Sequence, residues 1–286
     1  MDNCSIDAII ATSPVNVTYF SDYHVWLDAV FKPYMINPGD PGARNPNYAI
    51  ATQSGESALV VEQYHEVNAA ETRVDRLYVY GDQKKIEPLA QQPLTKRDAA
   101  LDCPYQRAAY CMPTAIAALT ESLGTMGLQE AKLGVELENL SNDQQDAIRA
   151  AFPRAQIKDC TNLIRLIRMV KTVEEIERLR VAAQIAEDAG VAALQLASAG
   201  CKIQSIIEGF RSLVAEAGAD FEHFCFTIGG YGLATEPNYQ LTTNDLLQVD
   251  WGCIYRHYFS DTGTTLMTRP PTGSVNHYFQ AVCQSI

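Results

Sequence analysis

The sequence predicts a two-domain α+β protein, and three observations lead to this fold class. The chain has 286 residues, of which 47% are hydrophobic and 20% are charged, so it is long and apolar enough for two packed domains. Up to about residue 160, short β-rich runs alternate with helical stretches, a pattern typical of a sheet covered by helices. Beyond that point two helical stretches come first. Apolar residues then recur at every second position, which is typical of strands.

The first domain is predicted to begin with a buried strand at residues 6–11. A helix follows in which Ser13 caps the first turn and Pro14 occupies the first helical position. Residues 48–52 and 57–61 form a hairpin, because a short Gln-Ser-Gly-Glu segment separates two strand-like runs. The other predicted elements are strands at 77–80, 132–137 and 156–159, helices at 113–126 and 142–152, and a proline- and glycine-rich loop at 31–47.

The second domain is predicted to open with a long helix. Thr172 and Glu175 have the spacing of a capping box, in which the two side chains satisfy each other's backbone amides. A second helix ends near Gly218, and strands follow at residues 223–228, 246–255 and 258–267. We therefore predict a boundary that gives domains of residues 1–162 and 163–286.

Charge and cysteine usage exclude several classes of function. The formal net charge is −12, and the scattered basic residues offer no face for duplex nucleic acid or for an anionic membrane. The sequence has neither a spanning apolar segment nor a signal-like start, so we expect a soluble cytoplasmic protein. Its eight cysteines form no Cys-x-x-Cys pair, which favours buried reduced thiols over a zinc ribbon or a redox centre.

The most informative segment is residues 247–265, which predicts two antiparallel strands. A turn centred between Tyr255 and Arg256 places Asp250 directly opposite Asp261, with Cβ atoms about 4.5–5.5 Å apart. Two carboxylates at that distance repel each other unless a proton or a cation lies between them. A pair of divalent metal ions would remove this repulsion, because both carboxylates could bind the ions. Because Asp250 follows an apolar run and precedes Trp251, we expect it in the protein interior. From spacing alone, two exposed aspartates near a hairpin remain an equal alternative.

The histidines of the second half are predicted to be structural residues without a ligand role. His257 falls at the proposed turn and is expected to be exposed, His223 precedes a strand, and His277 lies near residue 286. Residues 229–232 are rich in glycine but lack the lysine and the following helix of a phosphate loop. A flexible loop beside a substrate and a plain turn both fit that segment.

The aspartate hairpin resembles the metal-binding hairpin of the Xaa-Pro peptidase, methionine aminopeptidase and creatinase superfamily (M24). The family pattern matches Asp250-Trp251-Gly252 and Tyr258-Phe259-Ser260-Asp261. Residues 168–183 are similar to the family's entry into its catalytic domain, and residues 6–19 to the start of its N-terminal domain. The resemblance implies a creatinase-type mixed-sheet domain at 1–162, followed at 163–286 by the N-terminal half of a pita-bread domain.

The resemblance further implies a metal-dependent hydrolase of a C–N bond, with Xaa-Pro dipeptidase or aminopeptidase activity on a small peptide or amide. Two divalent ions (Mn, Co or Zn) are implied, with Asp250 and Asp261 as ligands. The family adds a histidine and two glutamates from later strands, which this sequence lacks, so we assign no catalytic residue and expect the 286-residue chain to be inactive alone. Tyr231 and Asn238 are candidate substrate-binding residues, although Asn238 replaces a frequent family histidine. A homodimer is expected.

Two other functions remain open at the level of sequence. The first is a creatinase-like amidino or amide hydrolase that uses acid and base chemistry without a metal. The second is a non-catalytic pita-bread module that binds or assembles with a partner.

Overall fold

The computed structural model describes residues 5–24, 46–81, 111–230 and 238–285. The chain divides into two compact units, Met1–Met169 and Val170–Ile286. Each unit combines helices with its own β-sheet, which confirms the predicted α+β class. Most of the predicted 31–47 loop lies outside the described residues.

The first unit is built on a seven-stranded sheet of order β5-β4-β3-β2-β1-β6-β7. Strand β2 is antiparallel to both of its neighbours, and the other pairs are parallel. The strands are β1 (Ala8–Ala11), β2 (Tyr48–Thr52), β3 (Ser57–Glu62), β4 (Arg76–Tyr80), β5 (Cys111–Met112), β6 (Lys132–Val135) and β7 (Gln156–Asp159). The helices are α1 (Pro14–Ser21), α2 (Glu66–Ala70), α3 (Ala115–Thr125), α4 (Asn142–Ala151) and α5 (Thr161–Met169).

Both faces of this sheet carry an apolar core, because its central strands are buried on both sides. In β1, Ala8 and Ile10 join one cluster, while Ile9 and Ala11 join the cluster on the opposite face. This alternation follows from the period of two in a strand, and it explains why residues 8–11 form a continuous apolar run.

Helix α1 begins as predicted, with Ser13 as N-cap and Pro14 in the first turn. Its start is also held by the buried carboxylate of Glu136, which follows β6. This carboxylate accepts hydrogen bonds from the Thr12 and Ser13 amides at 2.8 and 2.9 Å. It also accepts from the Ser13 hydroxyl at 2.7 Å and from the Asn16 side-chain amide at 2.5 Å. A residue more than a hundred positions away therefore completes the helix cap.

Helix α5 belongs to the first compact unit, which ends at Met169. The reason is packing, since Ile164 is fully buried in the same cluster as Cys160 and Ile9. Burial raises the pKa of the Cys160 thiol to about 12. The described cysteines are free thiols.

The second unit contains a four-stranded antiparallel sheet with β9 at its centre. Strand β8 pairs with one edge of β9, and β10 and β11 pair with the other. The elements are α6 (Val173–Leu194), α7 (Ile203–Glu216), β8 (Asp220–Ile228), β9 (Leu246–Tyr255), β10 (Tyr258–Phe259), β11 (Thr262–Met267) and α8 (Gly273–Ser285). Within the described ranges, every helix is too short or too polar to cross a lipid bilayer.

Helices α6 and α7 cover one face of this sheet, and Trp251 is the centre of the contact. Its indole is 1% exposed, and its Nε1–H donates to the Ala186 carbonyl of α6 at 2.8 Å. It stacks on Phe224 of β8, with the ring centres 6.2 Å apart. Gly190 of α6 allows this approach, because a Cβ there would lie 2.2 Å from the indole. On the opposite face of β9, the side chains of Gln248 and Asp250 are exposed among the residues that the structure describes.

Candidate metal centre

The turn between β9 and β10 sets the register of the aspartate hairpin. Tyr255 pairs with Tyr258, so the turn consists of Arg256 and His257, which have positive φ values of 47° and 70°. Asp250 is opposite Gly263 in this register. The prediction that Asp250 lies directly opposite Asp261 is therefore wrong. The observed partner of Asp250 is two positions away from Asp261, and side chains two positions apart in a strand point to the same face. The two aspartates therefore stay on the same face of the sheet.

That face is open to solvent, which corrects the expectation of an interior Asp250. Val249 and Trp251 are buried against the helices, and Asp250 between them points the opposite way. Its side chain is 54% exposed. The apolar run before Asp250 thus indicates burial of alternate residues only.

His223 lies next to the two aspartates, although its position in the sequence predicted no ligand role. It lies within β8, in register with Gly252 of β9. Its Nε2 is 3.2 Å from Oδ1 of Asp250, and its Nδ1 contacts the carboxylate of Glu222. Burial by itself lowers the pKa of His223, but the hydrogen bonds to these carboxylates and their charges outweigh burial and raise it.

Gly252 provides the space in which the imidazole lies. A Cβ at this position would be 2.7 Å from Cε1 of His223 and 2.3 Å from the carbonyl oxygen of Ser260. Both distances are below any normal contact, so a side chain at 252 would displace the histidine or the neighbouring strand. The three residues of the Asp250-Trp251-Gly252 sequence thus have different roles: Asp250 places a carboxylate on the exposed face, Trp251 anchors the strand in the core, and Gly252 leaves space for the imidazole of His223.

The donor atoms of His223, Asp250 and Asp261 all lie within 4.8 Å of one another. Two donors on one Zn²⁺-like ion, with bonds of about 2.0–2.2 Å, are at most about 4.4 Å apart. The 4.8 Å limit on the spacing of the three donor atoms is close to that range. An imidazole nitrogen and two carboxylate oxygens are also a donor set that divalent transition metals accept, so these residues fit such an ion.

Hydrogen bonds to the rest of the second unit fix the hairpin that carries Asp261. The Ser260 hydroxyl accepts from the Cys253 amide at 3.0 Å. The Tyr258 hydroxyl donates to Glu175 at 3.1 Å. Glu175 and Thr172 form the predicted capping box of α6. The start of α6 and the hairpin are therefore joined through one carboxylate.

Replacing Glu175 by alanine is expected to destabilise the second unit by about 1 kcal/mol, because the helix cap and the Tyr258 contact are lost together. Glu177→Ala, at an exposed position on the same helix, should change the free energy of unfolding by less than about 0.5 kcal/mol. Urea unfolding followed by circular dichroism measures both. Equal effects of the two variants would contradict the role given to Glu175.

The carboxylate of Glu175 should also make the stability of the second unit depend on pH. Burial by itself raises the pKa of Glu175, but the hydrogen bonds from Thr172 and Tyr258 outweigh it, so the pKa lies below its ordinary value of 4.5. The contribution to stability is therefore present above pH 4.5 and is lost as the pH falls through the lowered folded value. The stability difference between the wild-type chain and Glu175→Gln should shrink in that acid range.

Of the two predicted substrate-binding residues, only Asn238 lies in the part of the chain that the structure describes. Tyr231 lies outside the described residues, and Asn238 is exposed in the turn that precedes Tyr239. His257 is exposed at the hairpin turn, as predicted, and His277 is exposed on α8.

Comparison with known proteins identifies the family of both parts of the chain. Residues 1–170 match the creatinase/prolidase N-terminal domain, and residues 177–286 match metallopeptidase family M24. No curated protein matches the sequence significantly.

Three solved structures illustrate the likeness in fold. The prolidase from Pyrococcus furiosus is 20% identical, with a TM-score of 0.61 over 99% of this chain and 68% of its own. The prolidase from Pyrococcus horikoshii OT3 is 18% identical, with a TM-score of 0.65 over 99% of this chain and 67% of its own. The Xaa-Pro dipeptidase from Bacillus anthracis is 17% identical, with a TM-score of 0.63 over 99% of this chain and 66% of its own.

This chain thus spans about two thirds of the length of the structures that it resembles. The creatinase-type mixed-sheet domain and the partial pita-bread domain are both confirmed as its fold. The chain belongs to the creatinase/prolidase family, and its creatinase-type N-terminal domain is followed by part of an M24 metallopeptidase domain.

Proposed function

We propose that this protein is a metal-dependent hydrolase that cleaves a peptide C–N bond beside proline, and that Asp250 and Asp261 are metal ligands. The observation that carries the proposal is the convergence of these aspartates on the open face of the second sheet, in a chain of the M24 family. The structural likeness to two prolidases and an Xaa-Pro dipeptidase supports the substrate class, a small peptide.

A bound divalent ion supplies Lewis acidity and lowers the pKa of a water molecule. The residues of this chain hold and orient the site. Trp251 anchors β9 to α6, which keeps the carboxylate of Asp250 on the open face. The bond between Ser260 and Cys253 holds the segment that carries Asp261.

The substrate-facing residues and the assembly are part of the same proposal. Tyr231 and Asn238 are proposed to face the substrate, and the protein is proposed to act as a cytoplasmic homodimer. The two-ion centre of the family needs more donors than two carboxylates and one imidazole supply. We therefore expect the 286-residue chain alone to lack hydrolase activity.

The test measures hydrolysis of Xaa-Pro dipeptides by the full-length protein, meaning this chain with any sequence that its gene encodes beyond residue 286, with Mn²⁺, Co²⁺ or Zn²⁺ added. Asp250→Asn and Asp261→Asn should each lower kcat/KM at least about tenfold, because each removes a charged metal ligand. Asp220→Asn is the control, because Asp220 is an exposed aspartate of β8 outside the cluster, and it should leave the rate unchanged.

Three outcomes would contradict the proposal. Metal-independent hydrolysis that survives both aspartate variants would indicate a creatinase-like amidino or amide hydrolase. No hydrolysis of any C–N substrate, with dimerisation retained, would indicate a binding module. Equal losses in Asp220→Asn and the ligand variants would show a general loss of structure.

A further inference from the structure

We infer that His223 is a third metal ligand, so that one divalent cation is bound by β8, β9 and the Asp261 segment together. The inference rests on the proposed metal site and extends it to a nitrogen donor. It also makes a one-ion site available within these 286 residues, apart from any donors that later strands contribute.

The two nitrogens of the imidazole face different partners. Nε2 points at Asp250, 3.2 Å from its Oδ1, and Nδ1 contacts the carboxylate of Glu222. Histidines that bind metals through one nitrogen commonly donate from the other to a carboxylate, which fixes the tautomer and the ring plane. His223 therefore has both a nitrogen that faces the aspartates and the supporting carboxylate that a ligand requires.

An irregularity in β8 makes the Glu222 contact geometrically accessible. Neighbouring side chains of a regular strand point to opposite faces of the sheet, so residues 222 and 223 would be separated. The register of β8 on β9 shifts between Phe221 and His223, which marks a β-bulge. Bulges re-aim side chains and are frequent beside functional sites.

The charge of the cluster favours a cation. Asp250, Asp261 and Glu222 carry three carboxylates around one imidazole, so their charge remains negative even when the imidazole is protonated. Within the described ranges, no lysine or arginine forms an ion pair with these carboxylates. A divalent ion would neutralise them.

The donor set also specifies the class of cation. Imidazole nitrogen suits Zn²⁺ and Co²⁺, whereas Mg²⁺ and Ca²⁺ prefer a shell made of oxygen alone. Three protein donors leave at least one position for water or substrate. We therefore expect Zn²⁺ or Co²⁺ to bind with one ion per chain, ahead of Mg²⁺ and Ca²⁺.

The experiment titrates the 286-residue chain with Zn²⁺ by calorimetry and with Co²⁺ by visible absorption. His223→Gln should weaken Zn²⁺ binding at least about tenfold, and Glu222→Gln about tenfold through loss of the supporting carboxylate. His277→Gln is the matched control, since it removes an exposed histidine of α8, and it should bind as the wild-type chain does.

His223→Cys gives a direct signature of ligation. A thiolate at this position should retain Zn²⁺ and add a thiolate-to-Co²⁺ charge-transfer band that is absent from the wild-type spectrum. If circular dichroism shows that His223→Gln is unfolded, the spectrum of His223→Cys still tests whether the side chain at position 223 binds the metal.

The results separate this inference from the proposed function. Unchanged binding in a folded His223→Gln, with binding lost in Asp261→Asn, would overturn the nitrogen ligand and leave the aspartate site intact. His223→Cys without the new band would do the same. A wild-type chain that binds neither ion would overturn the nitrogen ligand, while metal-dependent hydrolysis by the full-length protein would still support the proposed function.

Discussion

Replacing Trp251 by alanine is expected to lower the stability of the second unit by about 4 kcal/mol, in the range for deletion of a large buried aromatic side chain. The indole is 1% exposed and donates to the Ala186 carbonyl at 2.8 Å. It also packs against Phe224 and Phe210, with ring centres 6.2 and 6.4 Å away. Truncation would leave a cavity between the sheet and α6. Urea unfolding monitored by circular dichroism measures the loss.

Gly190 allows a sharper version of this experiment. Gly190→Ala should destabilise the wild-type chain, because the new Cβ would lie 2.2 Å from the indole. In the Trp251→Ala background the same change should stabilise by up to about 1 kcal/mol, since the clash is gone and alanine is the better helix former. Phe259→Ala, at a side chain that is 58% exposed on the same hairpin, is the control and should have little effect. The same sign for Gly190→Ala in both backgrounds would contradict this packing.

In the first unit, Glu136→Ala is expected to destabilise by about 4 kcal/mol, since several buried or half-buried donors lose their acceptor together and each buried donor costs about 1–3 kcal/mol when unsatisfied. Those donors are the amides of Thr12 and Ser13, the Ser13 hydroxyl and the Asn16 amide. Glu136→Gln keeps the shape but turns an NH₂ group towards donors, so it should also destabilise. The free energy of unfolding of the first unit is the measurement.

Glu138 provides the matched control for this prediction. It lies two residues further along the same segment, its side chain is 60% exposed, and it pairs with Arg165 at 2.5 Å. Glu138→Ala should therefore cost less than about 1 kcal/mol, as exposed ion pairs do. If Glu136→Ala cost no more than Glu138→Ala, the buried carboxylate would not be a principal support of α1.

Local patterns predicted the elements that depend on neighbouring residues. The bounds of β9, Leu246–Tyr255, coincide with the predicted strand, because an apolar alternation marks both its length and its buried face. The Thr172–Glu175 capping box and the Ser13 cap were also predictable, since both caps are made within one turn of helix. The hydrogen bonds between Glu136 and the start of α1 could not be predicted from local patterns, because they join distant parts of the chain.

The hairpin register could not be predicted, because its turn lacks the usual residues. Two-residue hairpin turns with positive φ at both positions favour Asn-Gly, whereas this turn is Arg256-His257. Without that signal the turn was predicted one residue too early. The prediction that Asp250 and Asp261 share one face of the sheet still holds, since the error shifted the pairing by two positions, but that face is exposed and not interior.

His223 was missed for a related reason. Phe224 and Phe226 are buried, so the alternation along β8 places His223 on the opposite face. That signal was present in the sequence, but it brings His223 next to the aspartates only once β8 is known to pair with β9 beside Asp250. Strand pairing across an intervening segment is a long-range property, and the spacing of residues along one strand does not reveal it.

The crowding at Gly252 also bears on how distant relatives of this chain can be interpreted. Two separate neighbours exclude a side chain there, the imidazole of His223 and the carbonyl oxygen of Ser260. A lineage that replaced the histidine would relieve only the first restriction, and the backbone of the adjoining strand would still demand glycine. A glycine at this site is thus a marker of hairpin geometry, and the residue facing it is an independent marker of whether a nitrogen donor is available.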